Sequence, residues 1–363
     1  MSGVPIQQVD VSAYVVPTDY PESDGTLEWR TTTLVVVDVR AGDACGFGYT
    51  YANPATARLI ADTLAEVVRG RDAFAIAGTW TAMVQAVRNF GRPGIASMGI
   101  AAVDTALWDL KARLLGVPLL ALLGTARDTI PAYGSGGFTS YSIDQLRSQL
   151  EGWIDCGMQR VKMKVGRDPP RDRERVRAAR EAIGLDAELF VDANGAYWCK
   201  EALDFAKQFA EYDVRWFEEP VSSDDLEGLR YVRDRAPPPM EIAAGEYGYD
   251  LMYFRRMLDA GAVDVLQADA TRCAGISEFL RVGALCEARN VSLSAHTAPS
   301  LHAHLCCALA AARHVEYFHD HARIEKMLFD GALSPERGEL RPDLSRPGLG
   351  IELRRADAAR YAV

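Results

Sequence analysis

The sequence predicts an α/β protein whose main part is a (β/α)8 barrel. Short apolar runs in the second half of the chain each end on an ionisable residue, namely Lys164, Asp192, Glu218, Glu246, Asp269, His296 and Glu316. The intervals between them are 28, 26, 28, 23, 27 and 20 residues, close to one strand-plus-helix unit. Because the strand ends of such a barrel meet at one open face, we expect these side chains to share a pocket.

The N-terminal third has a different pattern. Residues 5–16 and 31–40 are predicted strands, and the second is followed by Ala-Gly-Asp and GFGYT, which is typical of a hairpin. Residues 16–30, between the two strands, are rich in turn formers and acids and are predicted to be a mobile loop. Helical periodicity follows in 55–69, 79–90 and 98–115. This order predicts a small α+β domain over residues 1–125.

From residue 130 onward, short apolar runs alternate with amphipathic helices, which is the pattern of a parallel sheet. The predicted helices are 171–182, 200–211, 224–235, 250–260, 275–289 and 299–311. Counting PAYGSGG as the first run gives seven clear units, and we expect the eighth near 321–329. We place the barrel domain at 126–334. The Pro- and Gly-rich DLSRPGLGIELRR then resembles a return segment that packs on the N-terminal domain.

Composition limits the partners and the location. The net charge of −10 disfavours nucleic acid and anionic membranes as partners. The segment MSGVPIQQVD lacks the charged and apolar regions of a secretion signal, and no apolar run reaches about 18 residues. Seven scattered cysteines without a C-x-x-C pair indicate reduced thiols. We therefore predict a cytoplasmic protein that binds a small molecule.

Strand alternation suggests which side chains share the barrel mouth. Lys162 and Lys164 in RVKMKVG lie two apart and point together, so each is expected to lower the pKa of the other and favour a basic lysine. The carboxylates that end three consecutive strands are hard oxygen ligands and suit Mg²⁺; they are Asp192, Glu218 and Glu246. Alternation turns Glu219 outward, so the metal ligand is assigned to Glu218, and Asn194 and Glu219 are expected to support the site.

A second set of residues ends the following strands. Asp269 is expected to hold one ring nitrogen of His296 and raise its basicity. Glu316 could give a hydrogen bond or proton to a substrate oxygen if its pKa is raised. Together with the metal and Lys164, these groups suit removal of a proton α to a carboxylate, because the resulting enediolate needs positive charge nearby.

These motifs resemble the enolase superfamily, in particular its mandelate racemase-like subgroup. The matching features are K-x-K, D-x-N, E-E-P, G-E, then the Asp–His pair and the last glutamate, in order over nearly the whole chain. The resemblance implies an N-terminal capping domain, completed by the tail at about 335–363, over a modified barrel. It implies Mg²⁺ on Asp192, Glu218 and Glu246, with Lys164 and His296 as the two acid/base groups.

The resemblance also implies roles for the remaining residues and a class of substrate. Lys162 would lie near the substrate carboxylate, Asp269 would orient His296, and Glu316 would be the electrophilic acid. The substrate would be a hydroxy-carboxylate and the assembly a homo-oligomer. We expect a dehydratase that converts a sugar acid into a 2-keto-3-deoxy acid. Racemisation or epimerisation of a 2-hydroxy acid is the alternative.

Two other interpretations stay open. All six histidines lie between residues 296 and 321, which raises the possibility of a zinc site at His302, His304 or the His319-Asp320-His321 run. An inactive barrel that only binds a ligand would be expected to lack a metal ligand or a base, and none is missing. The predicted loop 16–30 is expected to help close the site, and its four acids would favour a mono-acid substrate.

Overall fold

The N-terminal part of the chain is an antiparallel three-stranded sheet covered by helices in the computed structural model, which describes residues 3–363. Its strands are β1 (Ile6–Ser23), β2 (Glu28–Ala41) and β3 (Ala44–Tyr51). The helices are α1 (Ala55–Leu59), a π-helical turn (Ile60–Leu64), α2 (Ala65–Val68), α3 (Ile76–Ala86), α4 (Ile95–Leu115) and α5 (Leu119–Leu123). Helix α4 buries Ile100, Val103 and Leu107 against this sheet. The predicted α+β arrangement is confirmed.

Eight parallel strands form the barrel, and its closure confirms the predicted fold class. They are β4 (Ile130–Gly136), β5 (Arg160–Lys164), β6 (Glu188–Asp192), β7 (Val214–Glu218), β8 (Glu241–Ala244), β9 (Val265–Ala268), β10 (Ser292–Ala295) and β11 (Ala312–Phe318). Strand β11 pairs in parallel with β4 and so closes the sheet. The helices that follow the strands are α6 (Ile143–Asp155), α7 (Pro169–Ile183), α8 (Cys199–Ala210), α9 (Leu226–Arg233), α10 (Leu251–Asp259), α11 (Ile276–Arg289), α12 (Pro299–Ala308) and α13 (His319–Leu328).

The eighth unit differs from our prediction. We expected it near 321–329, but its strand is β11, and the predicted segment is mainly helix α13. The run RHVEYF is the seventh strand that ends on an ionisable residue, and PAYGSGG, which has no such residue, is a further strand before these seven. Eight strands were therefore present in the pattern, and α13 completes the eighth unit.

Strand register places the charged strand ends side by side. In the parallel pairing of β5, β6 and β7, Lys164 lies opposite Asp192, and Asp192 lies opposite Glu218. One layer below, the aromatic rings of Phe190 and Trp216 stack with centroids 5.2 Å apart. The side chains two residues apart thus share the barrel interior, as strand alternation predicts.

The segment 16–30 is a hairpin, so our prediction of a loop was wrong. Strand β1 continues to Ser23 and β2 begins at Glu28, which leaves a short turn closed by Asp24. The Asp24 carboxylate accepts hydrogen bonds from the backbone N–H groups of Thr26 (2.6 Å) and Leu27 (2.7 Å). The hydroxyls of Ser23 and Thr139 lie 2.6 Å apart, and Thr139 also donates to the Asp24 carbonyl at 2.8 Å. These bonds fasten the hairpin to the loop after β4.

The C-terminal segment packs on the N-terminal sheet. It contains β12 (Phe329–Asp330), β13 (Glu339–Leu340), β14 (Glu352–Leu353), α14 (Arg355–Ala358) and a 3-10 turn (Ala359–Tyr361). Buried Asp109 on α4 joins the parts, since it accepts from the N–H groups of Phe47 (2.7 Å) and Leu349 (2.6 Å) and from Arg113 Nε (2.6 Å). The boundaries proposed at 125/126 and 334/335 stay predictions.

Two observations concern the cysteines and the helices. All seven cysteines, none of which is among the two undescribed residues, are free thiols. Within residues 3–363 no helix combines the length and the apolar character that crossing a bilayer requires.

Replacing Asp109 by Ala should strongly destabilise the protein. The change leaves two buried backbone N–H groups and the Arg113 guanidinium without their acceptor, which we expect to cost about 3 kcal/mol or more of unfolding free energy. Urea unfolding followed by circular dichroism measures this loss. The exposed acid Asp357, in the same C-terminal segment, supplies the control Asp357→Ala, which should change the midpoint little. Equal midpoints for the two variants would contradict the assigned role.

Replacing Gly25 by Ala should lift the β1–β2 turn from the barrel. A Cβ at this position would lie 2.3 Å from the Ala193 carbonyl oxygen and 2.8 Å from that of Val165, so the backbone must move. Hydrogen exchange over residues 17–30 should become faster, because the bonds to Thr139 are strained or broken. Gly78→Ala is the matched control, since nothing lies within 4 Å of a Cβ there. Unchanged exchange in Gly25→Ala would show that the turn is not held by this close approach.

Candidate active site

Three carboxylates meet where the strands predict them. Asp192, Glu218 and Glu246 each offer one oxygen, and these oxygens all lie within 4.8 Å of one another. Asp192 and Glu218 are the last residues of β6 and β7, and Glu246 follows β8 by two residues. All three side chains are buried. The sequence therefore placed these three groups together correctly.

Both lysines are buried among these carboxylates. Lys162 Nζ lies 2.5 Å from Glu218 Oε1, 2.9 Å from Glu316 Oε1 and 3.4 Å from Asp192 Oδ2. Lys164 Nζ donates to Asp192 Oδ2. Lys164 lines the cavity at the barrel mouth, whereas Lys162 does not. The expectation that Lys162 lies near a substrate carboxylate is thus less direct than the one for Lys164.

The pKa values of the lysines move in the direction opposite to our prediction. Burial alone would lower the pKa of Lys164, and so does the neighbouring Lys162, but the Asp192 carboxylate and other acids outweigh both and raise it. Burial likewise acts on Lys162, and the carboxylates of Glu218 and Glu316 raise its pKa far above the usual value. The repulsion between the two ammonium groups lowers their pKa values less than the surrounding carboxylates raise them.

His296 and Asp269 form the predicted pair. The imidazole Nδ1 lies 2.9 Å from Asp269 Oδ2, so an Nδ1–H group donates to the carboxylate and leaves Nε2 turned elsewhere. His296 Nε2 lies 3.4 Å from Glu246 Oε2 and 3.7 Å from Glu316 Oε2. Burial would raise the pKa of Asp269, but His296 lowers it well below the usual range. The ring is thereby held in one orientation and one tautomer.

Glu316 is charged rather than protonated in this arrangement. Its Oε1 accepts from Ser135 Oγ at 2.5 Å and its Oε2 from the Thr297 N–H at 3.2 Å. Burial would raise the pKa, but Lys162, His296 and Lys164 outweigh it and lower the pKa to about 2. The raised pKa that we considered for Glu316 is therefore wrong for this arrangement, because Lys162 lies against its carboxylate.

Glu219 and Asn194 both lie close to the carboxylate cluster. We predicted that Glu219 points outward by alternation, but the strand has ended, and its backbone φ is +40°. Its carboxyl is buried, and burial followed by the charges of Glu246 and Asp192 raises its pKa. The Asn194 backbone N–H donates to Asp192 Oδ1 at 2.9 Å, and its side chain lines the cavity.

A cavity of about 380 Å³ opens onto these groups. From the barrel it is lined by Lys164, Asn194, Glu246, Tyr247, Asp269, Thr271, Arg272, His296, Thr297, Glu316, Phe318 and His321. From the N-terminal sheet it is lined by Asp24, Leu27, Trp29, Thr31, Thr32, Thr33, Tyr51, Ala52 and Asn53. Of the four acids in segment 16–30, Asp24 alone is among these lining residues, so the argument for a mono-acid substrate loses most of its basis.

Arg272 is a site residue that our sequence reasoning missed. Its Nη1 lies 3.1 Å from Glu246 Oε1, and its Nε lies 3.7 Å from Asp269 Oδ2, so it bridges a candidate metal ligand and the partner of His296. It follows Asp269 by three residues, in the turn after a strand rather than at a strand end. Ser135 was missed as well, although it lies on the first barrel strand, where the strand-end rule could have found it.

Three of the histidines for which the sequence left a zinc site open, His302, His304 and His321, do not form one. His302 accepts from the Ala270 N–H at 2.9 Å and donates to the Thr297 carbonyl at 2.8 Å, so both ring nitrogens are used. His304 Nε2 lies 3.1 Å from the Leu349 carbonyl, and the ring of His321 stacks on Tyr51 with centroids 3.5 Å apart. None of these three belongs to a cluster of possible metal ligands in residues 3–363.

The donor set at the barrel mouth fits magnesium. Hard carboxylate oxygens are the ligands that Mg²⁺ prefers. Glu246 Oε2 has no hydrogen-bond partner within residues 3–363, although it is buried. Burial and the neighbouring Asp192 carboxylate raise the pKa of Glu218, so a cation beside it would favour its charged form. A divalent cation held by Asp192, Glu218 and Glu246 would supply the missing charge.

Comparison with known families agrees with this geometry. Residues 9–124 match the family described as the mandelate racemase/muconate lactonizing enzyme N-terminal domain. Residues 145–358 match the family described as Enolase C-terminal domain-like. A 3,6-anhydro-alpha-L-galactonate cycloisomerase from Streptomyces coelicolor is 33% identical over 375 aligned positions, which cover 99% of each chain.

Solved structures are similar over the whole length. A mandelate racemase/muconate lactonizing enzyme-like protein from Rubrobacter xylanophilus is 54% identical, with a TM-score of 0.97 and coverage of 99% of this chain and 100% of that chain. An L-talarate/galactarate dehydratase from Salmonella typhimurium, liganded with Mg and L-lyxarohydroxamate, is 29% identical, with a TM-score of 0.91 and coverage of 100% and 94%. The chain therefore belongs to the mandelate racemase/muconate lactonizing enzyme family and is a magnesium-dependent enzyme of the enolase superfamily.

Proposed function

We propose that this enzyme removes the α-proton of a hydroxylated carboxylic acid and expels the β-hydroxyl, which makes it a sugar-acid dehydratase. The observation that carries the proposal is the meeting of Lys164, the His296–Asp269 pair and Glu246, a member of the three-carboxylate cluster, at one cavity. The dehydratase among the structural relatives supports the choice of reaction. A cytoplasmic location and a homo-oligomeric assembly stay predictions.

The substrate carboxylate would be held at the acidic cluster. Asp192, Glu218 and Glu246 would hold Mg²⁺, which when bound supplies positive charge to the substrate carboxylate and offsets the acids that raise the pKa of Lys164. Arg272 keeps the Glu246 carboxylate oriented through its 3.1 Å contact. Lys162 lies outside the cavity lining, and its positive charge acts on the site by pairing with the carboxylates of Glu218 and Glu316.

Two side chains carry the proton transfers. Lys164 Nζ takes the proton from Cα, and the electron pair of the Cα–H bond passes into the carboxylate, where positive charge stabilises it. The electrons then return, the Cβ–O bond breaks, and His296 Nε2 gives a proton to the leaving hydroxyl, which departs as water. The enol that remains takes up a proton at Cβ, releases the proton of its hydroxyl group and becomes a 2-keto-3-deoxy acid.

Asp269 acts as a positioning residue in this scheme. Its 2.9 Å contact fixes the Nδ1–H group of His296 and presents Nε2 to the cavity. Glu316 lies 3.7 Å from the same nitrogen and 2.9 Å from Lys162 Nζ. Because its low pKa keeps Glu316 as a carboxylate, we assign it the role of balancing the positive charge of Lys162 and of a protonated His296. It could donate a proton to the substrate only after it had itself been protonated.

Racemisation or epimerisation is the second candidate, and the placement of the two bases favours it. Lys164 ends β5 and His296 follows β10, so β4 and β11 lie between them on one side of the barrel and four strands on the other. Two bases on different walls of one cavity can remove a proton from one face of Cα and return it to the other.

The elimination proposed for the dehydratase could also expel a ring ether oxygen instead of a hydroxyl group. It would then open an anhydro sugar acid without loss of water.

A substrate screen in D₂O separates these outcomes. Sugar acids, 3,6-anhydro sugar acids and 2-hydroxy acids would be incubated with Mg²⁺, and mass spectrometry and a semicarbazide assay would report deuterium at Cα and keto acid. Keto acid with loss of water indicates dehydration, keto acid that retains all oxygens of the substrate and gains only deuterium indicates ring opening, and deuterium at Cα without keto acid indicates racemisation. Absence of both deuterium and keto acid across substrates that the protein binds would overturn the proposal and support a ligand-binding barrel.

Lys164→Ala and His296→Asn should each lower kcat by about a hundredfold or more, since each removes one proton-transfer group. Circular dichroism would check that each variant is still folded at the temperature of the assay. Lys200→Ala removes an exposed lysine on α8 and serves as the control with unchanged kcat. Activity at the wild-type level in either site variant would contradict the roles assigned here.

A further inference from the structure

A second group of possible metal ligands lies outside the cavity. Asp19 and Glu22 on β1 and His319 at the start of α13 each offer one atom, and these atoms all lie within 4.8 Å of one another. Asp19 and His319 are separated by 300 residues in sequence, and His319 Nε2 lies 2.9 Å from Asp19 Oδ2. The group therefore connects the N-terminal hairpin with the last unit of the barrel.

Glu22 supplies an independent sign that a ligand belongs here. Its residue surface is 0% exposed. One carboxylate oxygen, Oε2, accepts from Trp29 Nε1 at 2.8 Å, while Oε1 has no hydrogen-bond partner within residues 3–363. A buried carboxylate oxygen without a partner is costly, because it has lost its water and gained nothing in return.

The charge around Glu22 is also incompletely balanced. A further buried acid, Asp320, directly follows His319 in the chain. Asp320 Oδ1 is bound by Arg323 Nη2 at 2.5 Å, but Asp320 Oδ2 is buried and has no partner in the described part of the chain. Of the three acids Asp19, Glu22 and Asp320, Asp320 is paired with Arg323, so a bound cation would offset the negative charge of the other two.

We propose that Asp19, Glu22 and His319 bind a second divalent metal ion, of the zinc class, that joins the β1–β2 hairpin to the barrel. An imidazole nitrogen with two carboxylate oxygens suits zinc better than magnesium, which prefers oxygen ligands alone. Asp19 and His319 are partly exposed, so an ion can reach the site from solvent. The fourth position would be left to water.

The site is placed so that its occupancy affects the cavity. Trp29, which donates to Glu22, lines the cavity, and so does Phe318, the residue before His319. The rings of Trp29 and Phe318 both pack against Phe138, with centroids 5.6 Å and 5.7 Å away. An ion bound to Glu22 and His319 would tie together the two sides of this aromatic contact and hold the hairpin down over the cavity.

Metal counting tests the proposal. The protein would be loaded with zinc chloride, freed of excess ion by gel filtration and analysed for zinc by mass spectrometry. His319→Gln and Asp19→Asn should each hold one zinc ion per chain fewer than the wild type. Glu28→Gln, a charge change on the same hairpin outside the cluster, is the matched control and should keep the wild-type count.

Zinc can also occupy the magnesium cluster, so the comparison is repeated in the Asp192→Asn background. In this background the remaining zinc should be lost when His319→Gln is added. Zinc should slow the hydrogen exchange of residues 17–30 in the Asp192→Asn protein, but it should have no such effect once His319 is also replaced. Equal zinc counts with and without His319, or an equal loss in Glu28→Gln, would overturn the proposal. Thermal transitions of each variant, read by circular dichroism, guard against loss of zinc through unfolding.

Discussion

Compensation of buried charge at the C-terminal mouth of the barrel is the constraint on which the rest of the site depends. The buried groups are two ammonium ions and four carboxylates: Lys162, Lys164, Asp192, Glu218, Glu246 and Glu316. Removing one ion from water costs several kcal/mol even after relaxation, so each group is tolerable only beside its partners. The contacts of Lys162 at 2.5–3.4 Å show how closely these groups are interlocked. Among these six groups the acids outnumber the lysines, and a divalent cation would offset part of that negative charge.

The closed parallel sheet is what brings such charges together. In-register pairing places Lys164, Asp192 and Glu218 on adjacent strand ends, and closure through β11 and β4 brings Glu316 against Lys162. Tyr133, Phe190 and Trp216 fill the layer beneath and keep water out. Exclusion of water strengthens every electrostatic interaction above that layer, in both the resting and the reacting state. The same low dielectric makes an unbalanced group costly, so the aromatic layer and the charged layer depend on each other.

Strand alternation and regular spacing allowed the barrel and its mouth to be predicted, since both follow from local geometry. The shared faces of Phe190 with Asp192 and of Trp216 with Glu218 are examples. Features that arise from contacts distant in sequence were missed. The hairpin 16–30 is held by Thr139, and the pKa values of Lys164 and Glu316 are set by partners on other strands. Glu219 was misplaced because alternation ceases where the strand ends at a positive φ.

The cavity residues proposed to react and those proposed to contact the rest of the substrate come from different parts of the chain. Lys164 and His296, to which we assign the proton transfers, come from the barrel, whereas Trp29, Tyr51 and Asn53 come from the N-terminal part of the chain. Removal of the α-proton needs only the barrel wall and the charge beside the carboxylate. Expulsion of the leaving group depends on where the β-oxygen lies relative to His296 Nε2, and that position is governed by the groups that contact the rest of the substrate. In the proposed reaction the N-terminal hairpin would thus influence the outcome without touching the α-carbon, since a misplacement of about 1 Å can cost about a hundredfold in rate.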